Sequence, residues 1–168
     1  NNFEGTSKSN SIQAEIGVEI LKTLGVKIAY NYLDVFRIQE DGEKLVLPFN
    51  SKHHILSTLS YRPIDQNWYI DINTHWSGKK KLINTSNYPS EYQRPNNSEP
   101  YWIMNAQFTT TIPSLNLDIY LGCENIFNFQ QEDPIIAWQD PFGQYFDISN
   151  IWGPTKVREF YIGVRTSF

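Results

Sequence analysis

A two-residue rhythm of apolar and polar side chains runs through this chain from end to end, and it leaves little choice of architecture. The rhythm is plainest at the C-terminus. There Phe160, Ile162, Val164, Thr166 and Phe168 share one phase, and Glu159, Tyr161, Gly163, Arg165 and Ser167 share the other. Successive side chains of a strand point to opposite faces, so this segment has one apolar side and one polar side. Ile12, Ala14, Ile16, Val18 and Ile20 repeat the pattern, as do Trp68, Ile70, Ile72, Thr74 and Trp76. Trp102, Met104, Ala106, Phe108, Thr110 and Ile112 continue it, followed by Leu117, Ile119, Leu121 and Cys123. No window of helical period competes. The predicted strands are 10–22, 26–38, 53–62, 68–77, 101–112, 116–127 and 157–168. The second is less regular, because Asp34 falls in phase with Ile28, Tyr30, Tyr32 and Phe36, and 53–62 is the least regular of all.

The connections alternate in length. Residues 23–25, 63–67 and 113–115 are short; 39–52, 78–100 and 128–156 are long. Short turns at one end and long loops at the other predict an all-β, antiparallel up-and-down meander. Strands of about 10–12 residues, tilted about 40°, rise roughly 25–30 Å, which is the apolar band of a membrane β-barrel. No apolar run of about 18 residues exists, so a spanning helix is excluded. The mean hydropathy of −0.47 decides nothing further, because alternating strands keep the average low even in a membrane. Aromatic placement does discriminate. Phe36, Trp76, Trp102, Phe127 and Phe160 lie in the apolar phase near the long-loop ends; Tyr61, Trp68 and Phe168 lie near the short-turn ends. Two belts of rings at strand termini are what water–lipid boundaries select. The alternative is a soluble β-sandwich or β-barrel ligand-binding module whose apolar phase forms an internal core.

Other function classes find little footing. A net charge of −4 argues against nucleic acid as a partner. Cys123 is the sole cysteine, so no internal disulfide can form. His53 and His54 precede Ser57 and Ser60, but the spacing establishes no triad, so no catalytic residues and no enzyme are expected. Adjacent histidines on a strand face opposite ways and make no natural metal pair. The loop acids Glu132, Asp133, Asp140 and Asp147 lack the spacing of a calcium loop; no metal or cofactor is expected. Lys79-Lys80-Lys81 stands where a long loop leaves the apolar band, either within reach of anionic lipopolysaccharide headgroups or as an ordinary solvated charge run. The candidate ligand contacts are the long-loop aromatics Tyr88, Tyr92, Trp138, Phe142 and Tyr145, whose rings can stack on a captured molecule; the alternative for each is packing within the loops themselves.

Several stretches resemble one family. Gly122-Cys-Glu-Asn-Ile-Phe127 is similar to the Gly-x-Glu-Asn-Leu-Phe strand end of TonB-dependent outer-membrane receptors. Tyr161-Ile-Gly-Val-Arg-Thr-Ser-Phe168 resembles their closing strand, and Asp133-Pro-Ile, Asp140 to Asp147 and Ile151-Trp-Gly-Pro154 resemble the loop before it. The wording Trp152-Gly-Pro-Thr-Lys is most like receptors of Bacteroidetes-type bacteria. The resemblance implies a barrel of about 22 strands with a plugged lumen, importing a siderophore, metal chelate, haem, vitamin or glycan. It implies long loops outside the cell, with short turns and the C-terminus in the periplasm. The implied partners are the plug and other strands of the receptor, outer-membrane lipid, the inner-membrane TonB system reached through the plug, and the barrel-assembly machinery at the C-terminal strand. A surface lipoprotein over the pore is left open. Residues 1–168 are then expected to be the C-terminal barrel segment of a longer chain, since seven strands alone leave two unpaired edges.

Overall fold

The computed structural model describes residues 6–39 and 41–166. Eight antiparallel strands form one sheet: β1 (Thr6–Ile20), β2 (Leu24–Ile38), β3 (Lys44–Val46), β4 (His53–Tyr61), β5 (Trp68–Ser77), β6 (Tyr101–Ile112), β7 (Leu117–Glu124) and β8 (Glu159–Thr166). Their order is β1-β2-β4-β5-β6-β7-β8, each strand beside its chain neighbour, with β3 added to the end of β2. There is no helix beyond two short 3₁₀ turns, Ser90–Tyr92 and Pro113–Leu115, among the described residues. The expectation of a meander holds, with one strand more than the rhythm announced.

That extra strand explains the irregular second segment. Asp34 does lie in the apolar phase of β2, yet it is buried. The Lys44 and Lys52 ammonium groups each approach its carboxylate at 2.9 Å. β3 brings Lys44 there by pairing Phe36 with Val46 and Ile38 with Lys44. The Leu33 amide donates to the Lys52 carbonyl at 2.9 Å, filling the gap between β3 and β4 along the same edge of β2. Residues 39–52, expected as loop, therefore partly prolong the sheet.

The register carries one apolar face across the whole sheet. Ile16 stands opposite Ile28, Tyr30 opposite Ile55, Leu59 opposite Ile72, Phe108 opposite Leu121 and Leu121 opposite Ile162. No second sheet lies over this face among the described residues, and Leu121 and Ile162 are 53% and 77% exposed. An internal sandwich core is not the architecture here. The other face is wet and cross-linked: Thr58 donates to Asn73 at 3.0 Å, Ser60 to Asp71 at 2.6 Å and Thr111 to Asp118 at 2.7 Å. Such opposite-strand pairs stabilise a sheet by a few tenths of a kcal/mol to about 1 kcal/mol each.

Turns and loops sort to opposite ends. Residues 21–23 join β1 to β2, with Leu21 and Lys22 in the left-handed region at φ 56° and 55°. That places the first turn two residues earlier than Thr23-Leu24-Gly25. Asn116 takes φ 47° at the turn into β7. β7 ends at Glu124, not 127, because Asn125 turns into the left-handed region at φ 49°. The buried apolar side chains, Leu82, Tyr101, Ile136 and Ala137, lie in the long loops or at their mouth.

Candidate functional site

The long loops 78–100 and 125–158 fold over the polar face at its loop end, and Tyr101 shows how. Its position at the start of β6 puts the ring on the polar face, where it stacks on Phe129 at 4.8 Å between centroids, with planes 7° apart. Trp152 closes the group at 6.0 Å from Tyr101 and 6.3 Å from Phe129. The Lys80 ammonium donates to the Trp152 carbonyl at 2.6 Å and the Tyr101 hydroxyl at 3.1 Å. One member of the lysine run is thus turned inward as a strut; Lys79 and Lys81 remain exposed.

Two buried amides hold the second loop in place. Asn125 donates to the carbonyls of Phe129 at 2.8 Å and Lys156 at 3.3 Å, and accepts from the Phe129 amide at 3.0 Å. The Asn of the Glu-Asn-Ile-Phe motif thereby fixes both ends of the loop it begins. Gln131 donates to the Asn150 carbonyl at 2.8 Å and accepts from the Trp152 and Gly153 amides at 2.7 and 2.9 Å. Buried backbone groups of this kind must be paired, and side-chain amides supply donor and acceptor together. Between the loops lies a cleft of about 490 Å³, with Arg94, Glu99, Glu132 and Asp133 in its wall beside Phe129 and Trp152. It offers stacking surfaces and hydrogen bonds, and no nucleophile–base pair.

Three of the five expected ligand aromatics meet. Tyr145 lies 5.6 Å from Tyr88 and 5.8 Å from Tyr92, between centroids, bridging the two loops. The Tyr88 hydroxyl donates to Asp147 Oδ2 at 3.4 Å; burial first, then the Asp147 charge, push this phenol above its ordinary 10.0. Trp138 and Phe142 stay outside the cluster, exposed at the loop surface. Of the aromatics expected at the water–lipid boundaries, those on described strands fall in two rows on the apolar face. Trp76 and Trp102 are directly opposite, with rings 6.1 Å apart, at the loop end, and Phe36 and Phe160 share their face; Phe127 lies past the end of β7, outside the strand register. At the turn end Trp68 sits 5.8 Å from both Tyr61 and Phe108. Phe168 lies outside the described residues.

The histidines divide as the strand rhythm requires. Tyr30 Oη and His53 Nδ1 are hydrogen-bonded at 2.8 Å on the apolar face, whereas His54 stacks on His75 at 5.6 Å on the polar one. Ser60 shares the face of His54 but stands six residues along the strand, roughly 20 Å away. Among the described residues no group of three or more His, Cys, Asp or Glu could hold a metal ion.

No protein-family model and no curated protein matches the sequence. Solved structures do match. The FrpB iron transporter from Neisseria meningitidis aligns with 95% of this chain and 24% of its own, at TM-score 0.62 and 14% identity. The FpvAI receptor in complex with pyocin S2 aligns with 74% of this chain and 16% of its own, at 0.57 and 19%. The ferric-catecholate import receptor Fiu of E. coli K12 aligns over 94% and 26%, at 0.50 and 15%. These are TonB-dependent outer-membrane receptors. The fold is that of a stretch of their barrel wall. The chain spans about a sixth to a quarter of their length. None of the three carries support for the Bacteroidetes-like wording of Trp152 to Lys156.

Sequence reasoning passed over Asn125, Gln131 and Lys80 as organisers of the loop layer. Asn125 was legible, since an Asn after a strand is a ready left-handed residue. Gln131 and Lys80 carry no local signal.

Proposed function

We propose that this chain is part of the wall and extracellular loop layer of a TonB-dependent outer-membrane receptor for active uptake of a scarce nutrient. One observation carries the reading: among the described residues a continuous apolar face across seven strands has no protein layer over it, while the opposite face is polar and covered by loops at its loop end. Water would penalise such a surface by roughly 25 cal/mol per Å² of apolar area, and hydrocarbon removes that cost. In this role the strands are a rigid, sealed wall. The loops capture cargo by stacking and hydrogen bonding, and energy enters through a plug and the TonB system beyond this segment. The structures it resembles include an iron transporter and a ferric-catecholate importer, so a chelated metal heads the nutrient classes, ahead of haem, vitamin and glycan.

The test is brominated-lipid quenching of single-tryptophan variants in reconstituted bilayers. Trp68, Trp76 and Trp102 should be quenched, and Trp138 and Trp152 should not. Uniform protection of all five, or a monodisperse detergent-free monomer, would overturn the membrane assignment.

A further inference from the structure

The cleft between loops 78–100 and 125–158 holds polar groups that nothing in the fold pairs. Asn150 is 3% exposed in its wall, and neither amide atom of its side chain has a hydrogen-bond partner among the described residues. The adjoining Gln131 uses both of its amide atoms on the backbone, so the shortage is confined to Asn150. Native interiors leave few such groups, and one that lines a cavity is a ready contact for a ligand. Arg94 in the same wall is similarly placed. Its buried Nε has no partner, and Nη1 donates only to the Gln93 carbonyl at 3.4 Å.

The charges of the cleft are unpaired as well. Glu99, Glu132 and Asp133 are exposed in its wall and form no ion pair among the described residues, with Arg94 or with any other cation. One guanidinium and three carboxylates thus face a common space without neutralising one another. A purely anionic ligand would meet Arg94 and be opposed by the three acids. A purely cationic one would leave the guanidinium alone, and a neutral sugar would engage Asn150 but neither sign of charge. A zwitterion satisfies both.

We infer that this cleft binds a short zwitterionic peptide with free amino and carboxyl ends. Arg94 takes the carboxylate, for which a planar guanidinium fork is the matched donor. The ammonium end lies among Glu99, Glu132 and Asp133. Asn150 presents a donor and an acceptor together, and the N–H and C=O of one residue in an extended chain point to the same side to meet them. Phe129 and Trp152 supply apolar surface for a side chain. The volume of about 490 Å³ falls within the roughly 300–1,000 Å³ of ordinary ligand sites and suits about two to three residues. The inference rests on the reading of the loops as a capture layer and names a cargo class for it.

Isothermal titration of the detergent-solubilised protein compares trialanine with N-acetyl-trialanine and with trialanine amide, each capped at one end. Trialanine should bind roughly ten- to hundred-fold more tightly than either, because each cap removes a charge-assisted hydrogen bond. Arg94→Gln should erase the margin over the amide and keep the margin over the acetylated form. Glu99→Gln, Glu132→Gln and Asp133→Asn combined should do the reverse, and Asn150→Ala should weaken all three peptides alike. No binding of trialanine, equal affinity for the capped forms, or margins unchanged in the charge variants would overturn the inference. The three acids are exposed, so their combined variant reads one end of the ligand even where Arg94→Gln does not fold. Bromolipid quenching of Trp68, Trp76 and Trp102, measured in parallel, separates the failures. Quenching without a peptide preference sinks the cleft site alone; a peptide preference without quenching sinks the membrane placement alone.

Discussion

The Tyr161 ring lies over Gly122, its partner across β7 and β8, and one rung away Tyr120 lies over Gly163 in the same way. Neither glycine has room for a Cβ, since the opposing ring occupies that space. Each tyrosine covers the bare backbone that a glycine leaves, and Tyr161 continues to a hydrogen bond with Gln107 Oε1 at 3.0 Å. A Gly122→Ala change must therefore push the ring aside, at about 1–3 kcal/mol. Chemical unfolding of the reconstituted protein measures it. Adding Tyr161→Ala should recover part of the loss, and a silent Gly122→Ala would show that the rings pack elsewhere.

Leu121 sits midway along β7 with its side chain on the apolar face. Leu121→Arg should destabilise the inserted protein by about 2–4 kcal/mol if that face meets the bilayer midplane. Thr58→Arg, on the polar face, is the control and should cost well under half as much. Equal costs would mean that both faces meet the same medium.

Asn125 makes three loop-fixing hydrogen bonds and takes φ 49°. Asn125→Ala removes the bonds and strains the backbone, leaving buried partners unpaired at about 1–3 kcal/mol. Because the change acts on one loop, limited proteolysis within 126–158 should accelerate while strand amides keep their hydrogen-exchange protection. Asn125→Gly, which relieves only the backbone, should protect the loop no better than partway.

Asp34→Asn keeps the shape and removes the charge that gathers Lys44 and Lys52. The amides of 44–46 should exchange faster, with β4 and β5 unaffected. No change in exchange at β3 would show that backbone pairing alone holds it.

Tyr88 offers a pH test. Its folded value lies above the unfolded one, so the clustered arrangement is favoured below about pH 10 and weakens as pH climbs through the raised value. Tyrosinate absorbance should show one late-ionising phenol that Tyr88→Phe removes. Asp147→Asn should bring that ionisation earlier. A titration identical in wild type and Tyr88→Phe would contradict the burial of this hydroxyl.

The strands were readable because alternation is a local property, repeated over eight to fifteen residues in each long strand. β3 was not, since Lys44-Leu45-Val46 is too short to show a rhythm, and the pairing of Lys44 with Asp34 that accompanies it joins residues ten positions apart. Of the five loop aromatics, Tyr88, Tyr92 and Tyr145 converge while Trp138 and Phe142 do not, and nothing in their flanking residues distinguishes the two groups.

By itself, then, the amino-acid order settled which side chains share a face, because a pleated backbone dictates that from one residue to the next. It also settled at which end the long connections gather. What lies over the polar face was decided only in three dimensions. Lys80 finds the Trp152 carbonyl 72 residues away, and Tyr88 finds Asp147 at a separation of 59. Such meetings depend on how two loops close over a sheet already formed, and no local pattern encodes them.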